Sequence, residues 1–433
     1  MIPGYVPSAI ERLRAEAVAL FREGVAAADP RRAVSAALDR YSDSIDRADR
    51  VIVLALGKAA VPMAAAALPF ARGKLGQAIA LTNHENAVQH PGLVVIGAGH
   101  PIPDHDGLAG ALAIERAAMA AREGDLVLVL VSGGGSSLLC APWPGITLED
   151  KIKLHKALIC CGADITEINA VRPIFSRLKG GGLAMRARPA QVLGLILSDV
   201  PDDDMAKIAS GPTVAARVAP EQAHCVLEKY GLLDELPQIM ESYLRGAIDG
   251  RHDANAFDHV DNILVGSNRL SLQAVMARAR ETCGTVVLGC DWLAGDVNKA
   301  AIKLHTMASA AAASNRPIAL ICGGETTVEV KGPGKGGRNQ ELAMRFARLN
   351  EQQPIPRDWV FLSAGTDGRD GPCDAAGAIV DAGSLSWMRH QGCDPDRHLA
   401  DNDAYPALAC SGDLLLTGAT GTNVADIQII LVQ

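Results

Sequence analysis

The apolar run Asp125-Leu-Val-Leu-Val-Leu-Val131 leads directly into Ser132-Gly-Gly-Gly-Ser-Ser137 and constrains the fold more than any other feature. An apolar run of this length without polar alternation predicts a strand buried on both faces, as in a parallel sheet covered by helices. Ligands of such sheets bind just beyond the carboxyl ends of the strands. The sequence therefore predicts that function is concentrated in the polar turns that follow its strands.

Similar apolar runs recur along the chain and are separated by helical segments. Early strands are predicted at Val51–Leu56, Ala78–Thr82, Leu93–Gly97 and Val192–Ser198, with helices at 7–28, 31–41 and Leu108–Arg122. This alternation indicates βαβ units. A second strand series is predicted to begin at Ile263–Gly266. Within it, Thr326–Lys331 alternates polar and apolar residues, which predicts an antiparallel strand with one wet face.

The length of 433 residues predicts two α/β domains. The polar segment Arg251–Asp261 is the candidate linker, so the expected domains are residues 1–250 and 251–433.

The formal net charge of −8 argues against a nucleic-acid or anionic-membrane partner. The ten Cys residues include no C-x-x-C, so we interpret them as buried thiols of a reducing compartment and expect no structural zinc. The first residues lack the pattern of a signal peptide, and no apolar run approaches about 18 residues. A cytoplasmic protein without a membrane span is therefore expected, and a homo-oligomer stays open.

Two turns at predicted strand ends have the composition of an anion site. In the loop formed by Ser132, Gly133, Gly134, Gly135, Ser136 and Ser137, the glycines allow several N–H groups to face one anion, and the serines add hydroxyls. A capped strand-to-helix turn is the structural alternative. Lys58, where the first strand turns into a helix, can neutralise a phosphate as a point charge, whereas most lysines are simply solvated.

A basic glycine-rich loop, Lys331-Gly-Pro-Gly-Lys-Gly-Gly-Arg338, precedes a predicted helix at Asn339–Leu349. Its G-x-G-x-x-G spacing is a weak match to a dinucleotide fingerprint, because the preceding strand is predicted to be half exposed. We interpret it instead as an anion loop in which Gly337 allows close approach and Lys335 and Arg338 balance triphosphate charge.

Carboxylates and amides follow other predicted strands. Asp199 and Asp367 are candidate Mg²⁺ ligands, with helix caps or Asx turns as the structural alternative. Asn268, Glu325 and Asn423 are further binding candidates. His84 and His100 have the chemistry of an acid or base, but a hydrogen-bonded structural role is the favoured reading, and no G-x-S-x-G supports a hydrolase.

These motifs together resemble the class II glycerate 2-kinases. Gly57-Lys58-Ala59, Gly99-His100-Pro101, Ser132–Ser137, Ser198-Asp199-Val200 and Ala209-Ser-Gly-Pro-Thr213 are similar to the N-terminal half of that family. Four later segments resemble the C-terminal MOFRL domain of the family: Gly323-Gly-Glu-Thr-Thr327, Gly336-Gly-Arg-Asn-Gln-Glu341, Thr366-Asp-Gly368 and Gly418-Ala-Thr-Gly-Thr-Asn423.

The resemblance implies an N-terminal Rossmann-like three-layer αβα domain with a mainly parallel sheet and a C-terminal α/β domain with a mixed sheet. It also implies ATP-dependent, Mg²⁺-assisted phosphorylation of D-glycerate at its 2-hydroxyl, in a cleft between the domains, with Lys58 and Arg338 in the active site. Asp199 and Asp367 are the carboxylates first considered for Mg²⁺ or for accepting the hydroxyl proton. Reduction of hydroxypyruvate with NAD(P)H is the rival activity, and a ligand-binding sensor without turnover is a third reading.

Overall fold

The computed structural model describes residues 8–163, 165–215, 220–249, 257–314 and 316–433. These residues form two compact units. The N-terminal unit comprises Pro30–Val265, and the C-terminal unit comprises the described part of Met1–Asp29 together with Gly266–Gln433.

The strands are β1 (Val51–Leu56), β2 (Leu75–Asn83), β3 (Val94–Ala98), β4 (Leu126–Val131), β5 (Gln191–Leu197), β6 (Val260–Gly266), β7 (Thr285–Asp296), β8 (Ile318–Thr327), β9 (Trp359–Gly365), β10 (Gly377–Asp381), β11 (Leu414–Leu415) and β12 (Asp426–Val432). The helices are α1 (Ala9–Ala27), α2 (Pro30–Arg40), α3 (Ser42–Arg47), α4 (Ala60–Ala67), α5 (His105–Met119), α6 (Gly135–Leu138), α7 (Leu148–Cys160), α8 (Ile165–Val171), α9 (Gly182–Arg186), α10 (Pro220–Lys229), α11 (Gln238–Asp249), α12 (Asn268–Thr282), α13 (Val297–Ala312), α14 (Arg338–Gln352), α15 (Ser384–His390), α16 (Pro395–Ala400) and α17 (Ala404–Ser411). Short 3-10 turns occur at His84–Asn86, Pro201–Asp203 and Ile208–Ser210.

The sheet of the N-terminal unit has the strand order β3-β2-β1-β4-β5-β6. The pairs β3–β2, β2–β1, β1–β4 and β4–β5 are parallel, which confirms the predicted mainly parallel sheet. Successive strands are added on one side of the sheet from β1 to β3 and on the other side from β4 to β6, so the strand order reverses between β1 and β4. In doubly wound sheets this reversal opens a crevice beyond the carboxyl ends of the two strands, and ligands bind there.

The two central strands of this sheet are buried along their whole length. Burial of each Val, Leu or Ile side chain stabilises the fold by about 1.5–3 kcal/mol. Leu56 pairs with Val131 at the carboxyl ends, so the residues that follow the two strands start side by side. The hydrophobic core therefore fixes the position of two candidate functional turns.

The sheet of the C-terminal unit has the order β11-β10-β9-β12-β8-β7 and is mixed, as predicted. Its β7–β8 pair is parallel, whereas β12 is antiparallel to both β8 and β9. The beginning of β12 therefore lies beside the ends of β8 and β9. Asp426 pairs in register with Gly324 on one side and Gly365 on the other.

Two sequence-based boundaries need correction. The strand predicted at Ile263–Gly266 does not open the second sheet: β6 is the edge strand beside β5, and the Val192 N–H donates to the His259 carbonyl just before it (2.8 Å). Helix α1 packs in the core of the C-terminal unit, where the Ser271 hydroxyl donates to the Gly24 carbonyl (2.8 Å). The units therefore differ from residues 1–250 and 251–433, and residues 251–256 of the candidate linker lie outside the described residues.

The antiparallel strand predicted at Thr326–Lys331 is also wrong. β8 ends at Thr327, and the following residues up to Lys331 are not in a strand. The Asn402 side chain explains the difference, because its Oδ1 accepts the N–H groups of Lys331 (2.6 Å) and Gly332 (3.2 Å). These donors are satisfied without a neighbouring strand.

The reading of all ten cysteines as buried thiols is wrong as well. Cys393 and Cys410 form a disulfide, and Cys160 and Cys225 are exposed. Cys140, Cys322 and Cys373 are buried thiols, as expected. Among the helices of the described residues, none combines the length and the apolar character needed to cross a membrane.

Candidate active site

The turn after β1 and the loop after β4 are joined where the strand order reverses. The Lys58 N–H donates to the Gly133 carbonyl (2.8 Å). The fully buried Ser132 hydroxyl accepts the N–H of Ala59 (3.0 Å). Gly57 has a φ of +111°, and a Cβ there would lie 2.3 Å from the Ser132 carbonyl oxygen. Glycine is required at this crossing, and the crossing holds Lys58 against the loop 132–137.

The remaining loop residues continue into α6. Gly134 has a φ of +80°, and a Cβ on Gly135 would lie 2.7 Å from the Ala209 Cβ. The Ser137 hydroxyl donates to the Gly134 carbonyl (3.1 Å). The hydroxyls of Ser132 and Ser137 thus bind the protein's own backbone, whereas Ser136 has different surroundings.

Ser136 is surrounded by buried and half-buried basic side chains. We call Ser136 and these neighbours the cationic cluster, which consists of Ser136, Lys151, His155, Arg172 and Lys179. Arg172 Nη1 donates to the Ser136 hydroxyl (3.0 Å), and Lys179 Nζ donates to the Ser136 carbonyl (2.6 Å). Arg172 Nη2 contacts the His155 ring at 2.9 Å from Nδ1, and Lys151 Nζ lies 3.4 Å from the Arg172 carbonyl. Lys179 is only 7% exposed.

The concentration of positive charge changes the ionisation of the cluster. Burial, followed by the positive charge of Arg172, lowers the pKa of Lys151 to about 8, with Cys140 opposing the shift. Burial also lowers the pKa of Lys179 well below its usual value and lowers the pKa of Arg172. The cluster is therefore short of negative charge and favours an anion.

His100 lies at the same loop. A Cβ on Gly134 would be 3.1 Å from His100 Nε2 and 3.3 Å from Lys58 Cγ. Desolvation of the ring, together with the positive charges of Lys58 and Arg172, lowers the pKa of His100 to about 4 although Glu85 opposes this. The imidazole is therefore neutral at pH 7 and has the chemistry of a proton acceptor.

The other candidates of this unit lie in different surroundings. Asp199 follows β5 and is half-buried. His84 is exposed and pairs with Asp104 (2.9 Å), whose carboxylate also accepts the Gly107 N–H (2.8 Å) as the cap of α5. His84 thus has the structural contact expected of it, and the role of Asp199 stays a prediction.

In the C-terminal unit, Arg338 begins α14 and is held by two carboxylates. Its Nε and Nη2 donate to the two oxygens of Asp426 (2.6 and 2.8 Å), and its Nη1 lies 3.0 Å from Glu325 Oε1. Burial alone would lower the pKa of Arg338, but the charge of Asp426 outweighs it and raises the pKa above its usual value. The guanidinium is thus permanently charged and fixed in orientation.

Asp370 fixes the start of the same helix. Its carboxylate accepts the N–H groups of Asn339 (3.2 Å) and Gln340 (2.9 Å). A Cβ on Gly337 would lie 2.2 Å from the Asp370 Cγ, so glycine leaves room for this cap. Burial raises the pKa of Asp370 to about 6 despite these hydrogen bonds, and the charge of Asp426 adds to the shift.

The basic glycine-rich loop binds its own chain rather than presenting a ring of N–H donors. The Gly334 N–H donates to the Asp401 carbonyl (3.1 Å), and the Lys335 N–H donates to Asp403 (2.8 Å). The Lys335 ammonium lies 4.1 Å from the centre of the Tyr405 ring. These contacts hold the loop in place and occupy the N–H groups of Gly334 and Lys335. The dinucleotide interpretation gains no support from them.

Asn268, Asp367 and Asn423 lie around the entry to β12 and the end of β9. Asn268 is 3% exposed, and its amide donates to the carbonyls of Val424 (2.8 Å) and Asp426 (2.9 Å). Asp367 is half-buried and accepts the Arg369 N–H (3.0 Å) in a tight turn, and Asn423 is half-buried. Their roles in binding stay predictions.

Several residues of these sites were not predicted from the sequence. Arg172 and Lys179 lie at the end of a helix and in an irregular segment, without a preceding strand or glycine pattern. Asp426 has a local signal, because it is an aspartate at the first position of a mostly apolar strand. Its partner Arg338 is 88 residues away.

Comparisons with known proteins agree with the fold and the motifs. Residues 16–245 match the family described as "Domain of unknown function (DUF4147)", and residues 318–426 match the MOFRL family. The chain is 39% identical over 380 residues to a glycerate kinase of Rattus norvegicus, covering 77% of this chain and 72% of that protein. It is 38% identical over 431 residues to a D-glycerate 2-kinase of Thermotoga maritima, covering 98% of this chain and 99% of that protein.

A solved structure gives the same result. The crystal structure of a Thermotoga maritima glycerate kinase matches this chain with a TM-score of 0.86 at 36% identity, over 98% of this chain and 100% of that one. The resemblance inferred from the motifs is therefore confirmed. The chain belongs to the family of glycerate kinases that carry a MOFRL domain.

Proposed function

We propose that this protein transfers the γ-phosphoryl group of ATP to the 2-hydroxyl of D-glycerate, giving 2-phosphoglycerate and ADP. The relative named D-glycerate 2-kinase supports both the acceptor and the position. Within the fold, the proposal rests on the attachment of Lys58 to the loop 132–137 where the strand order reverses. A cation and a glycine-rich loop at this point form a site for a phosphorylated ligand.

Phosphoryl transfer requires mainly alignment of the reactants and neutralisation of charge. Lys58 supplies a point charge at the glycine-rich loop. Arg338 supplies a planar guanidinium whose orientation is set by Asp426 and Glu325. We propose that Lys58 and Arg338 both neutralise phosphate charge in this reaction.

The 2-hydroxyl must lose its proton as the new bond to phosphorus forms. Asp199 is the acceptor suggested by the sequence, and His100 is a second candidate because its neutral ring lies beside Lys58 and Gly134. A neutral imidazole accepts a proton without first losing one. The two candidates are distinguished by the pH dependence of turnover in single variants.

The donor atoms at the strand ends also fit Mg²⁺. This ion prefers oxygen ligands and is usually held by one or two carboxylates together with substrate phosphates. Asp199 in the N-terminal unit and Asp367 in the C-terminal unit, which both follow strands, are the carboxylates that we propose for this ion. When bound, Mg²⁺ would offset phosphate charge.

The proposal is tested by ADP release in the presence and absence of D-glycerate. Replacing Lys58 or Arg338 by Ala should lower kcat by orders of magnitude while the far-UV circular dichroism spectrum is kept. The matched controls are Lys156→Ala and Arg348→Ala. Lys156 is exposed on α7, and Arg348 lies on α14, the helix of Arg338, where it pairs with Asp396. Near-normal turnover in either of the first two variants removes that residue's role.

A further inference from the structure

We propose that Ser136, Arg172 and Lys179 bind the carboxylate of the hydroxy-acid substrate. This inference rests on the proposed function, which it extends by naming the group that selects an acid over a neutral polyol. The proposal follows from the charge of the cationic cluster, the size of its cavity and its place on the loop 132–137.

The cationic cluster has no carboxylate counter-charge in the described part of the chain, and the charge of Cys140 opposes only part of the pKa lowering of Lys151, Arg172 and Lys179. Among the described residues, no Asp or Glu contributes to the ionisation of Lys151, Arg172 or Lys179, and none forms an ion pair with them. Burial of cations without a counter-ion is unfavourable by several kcal/mol per ion. When a folded protein keeps such buried cations near a candidate site, we infer that the bound ligand provides the missing negative charge.

The polar atoms of the cluster converge on Ser136. Arg172 donates to the Ser136 hydroxyl through Nη1, and Lys179 Nζ lies 2.6 Å from the carbonyl of the same residue. The guanidinium fork and a lysine ammonium therefore meet at one residue. Guanidinium groups bind carboxylates through two parallel hydrogen bonds, a geometry that an ammonium cannot provide alone.

The cavity beside these groups is small. It is lined by Ser136, Cys140, Lys151, His155, Arg172 and Lys179 among others, and its volume is about 30 Å³. A space of this size holds roughly two water molecules or the two oxygens of a carboxylate. This volume matches a carboxylate better than a nucleotide base or ribose, which favours the acid substrate over ATP as the ligand of this cavity.

The position of the cluster agrees with reaction at the 2-hydroxyl. Ser136 and Gly133 belong to the same short loop, and Gly133 accepts the N–H of Lys58. In glycerate the 2-hydroxyl is on the carbon next to the carboxylate. If the carboxylate is held at Ser136, the 2-hydroxyl therefore lies closer to this anchor than the 3-hydroxyl does. The cationic cluster therefore acts as a specificity determinant, and Lys58 serves the reacting phosphate.

The test compares D-glycerate with D-glyceramide, in which an uncharged amide replaces the carboxylate. The variants are Arg172→Met, Arg172→Lys and Lys179→Met, with Lys153→Met as the control because that lysine is exposed on α7. Loss of a charge-assisted contact should raise KM for D-glycerate about 10- to 100-fold in the Met variants. KM for ATP and the inhibition constant of D-glyceramide should change less than about threefold, and Arg172→Lys should restore part of the loss.

Other results would overturn the assignment. An equal loss for the acid and the amide would mean that the cluster does not sense the carboxylate charge. A rise in KM for ATP alone would assign the cluster to the nucleotide. If Arg172→Met fails to fold, Lys179→Met carries the same test, because it keeps the contact of Arg172 with the Ser136 hydroxyl.

Calorimetric titration of D-glycerate without ATP separates this inference from the proposed function. If the wild type binds the acid and both Met variants lose binding, the carboxylate site stands even when no phosphorylated product forms. If the wild type phosphorylates D-glycerate and all three variants retain its KM, the carboxylate site is refuted and the kinase activity stands.

Discussion

Replacement of Asp426 by Asn tests whether Arg338 must be held by a buried carboxylate. Asp426 is fully buried, and its two oxygens accept hydrogen bonds of 2.6 and 2.8 Å from the guanidinium. Removing one member of a buried ion pair costs about 3–5 kcal/mol. Because Glu325 remains 3.0 Å from Nη1, we expect the lower end of this range, about 3 kcal/mol.

The expected loss is measurable by thermal and urea denaturation. A change of 1 kcal/mol shifts the melting temperature of a domain of 150–250 residues by about 2–4 °C, so Asp426→Asn should lower that of the C-terminal unit by about 6–12 °C. Turnover at a temperature where the variant is folded should fall about 100-fold or more, since small misplacements of a catalytic cation have effects of this size.

Asp413→Asn is the matched control. Asp413 is also buried in the C-terminal unit, lies 2.6 Å from an arginine, Arg14, and leaves that arginine a second carboxylate, Asp381. It should lose comparable stability and keep kcat near the wild-type value. Equal kcat in the two Asn variants would refute the reasoning that Asp426 acts through the orientation of Arg338.

Three further outcomes are expected. Gly337→Ala places a Cβ 2.2 Å from the Asp370 Cγ, so the helix cap is displaced and urea denaturation should show a loss of about 1–2 kcal/mol; unchanged stability would disprove the clash. Burial and the neighbouring cations lower the pKa of His155 to about 4. The unfolded chain therefore takes up a proton first as the pH falls, and the wild type should lose stability between about pH 6.5 and 4, a dependence that His155→Gln reduces and that an NMR titration checks. Gly134 has a φ of +80°, and a Cβ at this position would lie 3.1 Å from His100 Nε2. Gly134→Ala should therefore lower kcat at least about tenfold, and full activity would argue against a catalytic role for this part of the loop.

The sequence predicted those parts of the fold that depend on local pattern. β1 and β4 were predicted because continuous apolar runs are stable only when both faces are covered, and the turns after them were recognised by Gly57, Lys58 and the serine-glycine loop. β10 was missed, since Gly377-Ala-Ile-Val-Asp381 is short and its pairing with β9 depends on a distant strand. Strand pairing of this kind has no signal in the residues between the partners.

The sequence indicated candidate site residues where they follow strands or lie in the basic glycine-rich loop. Lys58 and the loop 132–137 were brought together as the strand order implies, whereas Arg172 and Lys179 reach Ser136 from a helix end and an irregular segment. The backbone partners of the basic loop, at 401–403, were equally invisible because they depend on tertiary packing. Local sequence patterns predict helices and strands, but the tertiary contacts between them determine which charged side chains are paired.

The identity of the phosphorylated product tests the central claim most directly. D-glycerate, ATP and Mg²⁺ are incubated with the wild type and with Lys58→Ala, and the products are resolved by ³¹P NMR. We predict 2-phosphoglycerate and ADP in equal amounts from the wild type and neither product above background from the variant. Formation of 3-phosphoglycerate, or equal product from the variant, would contradict the account.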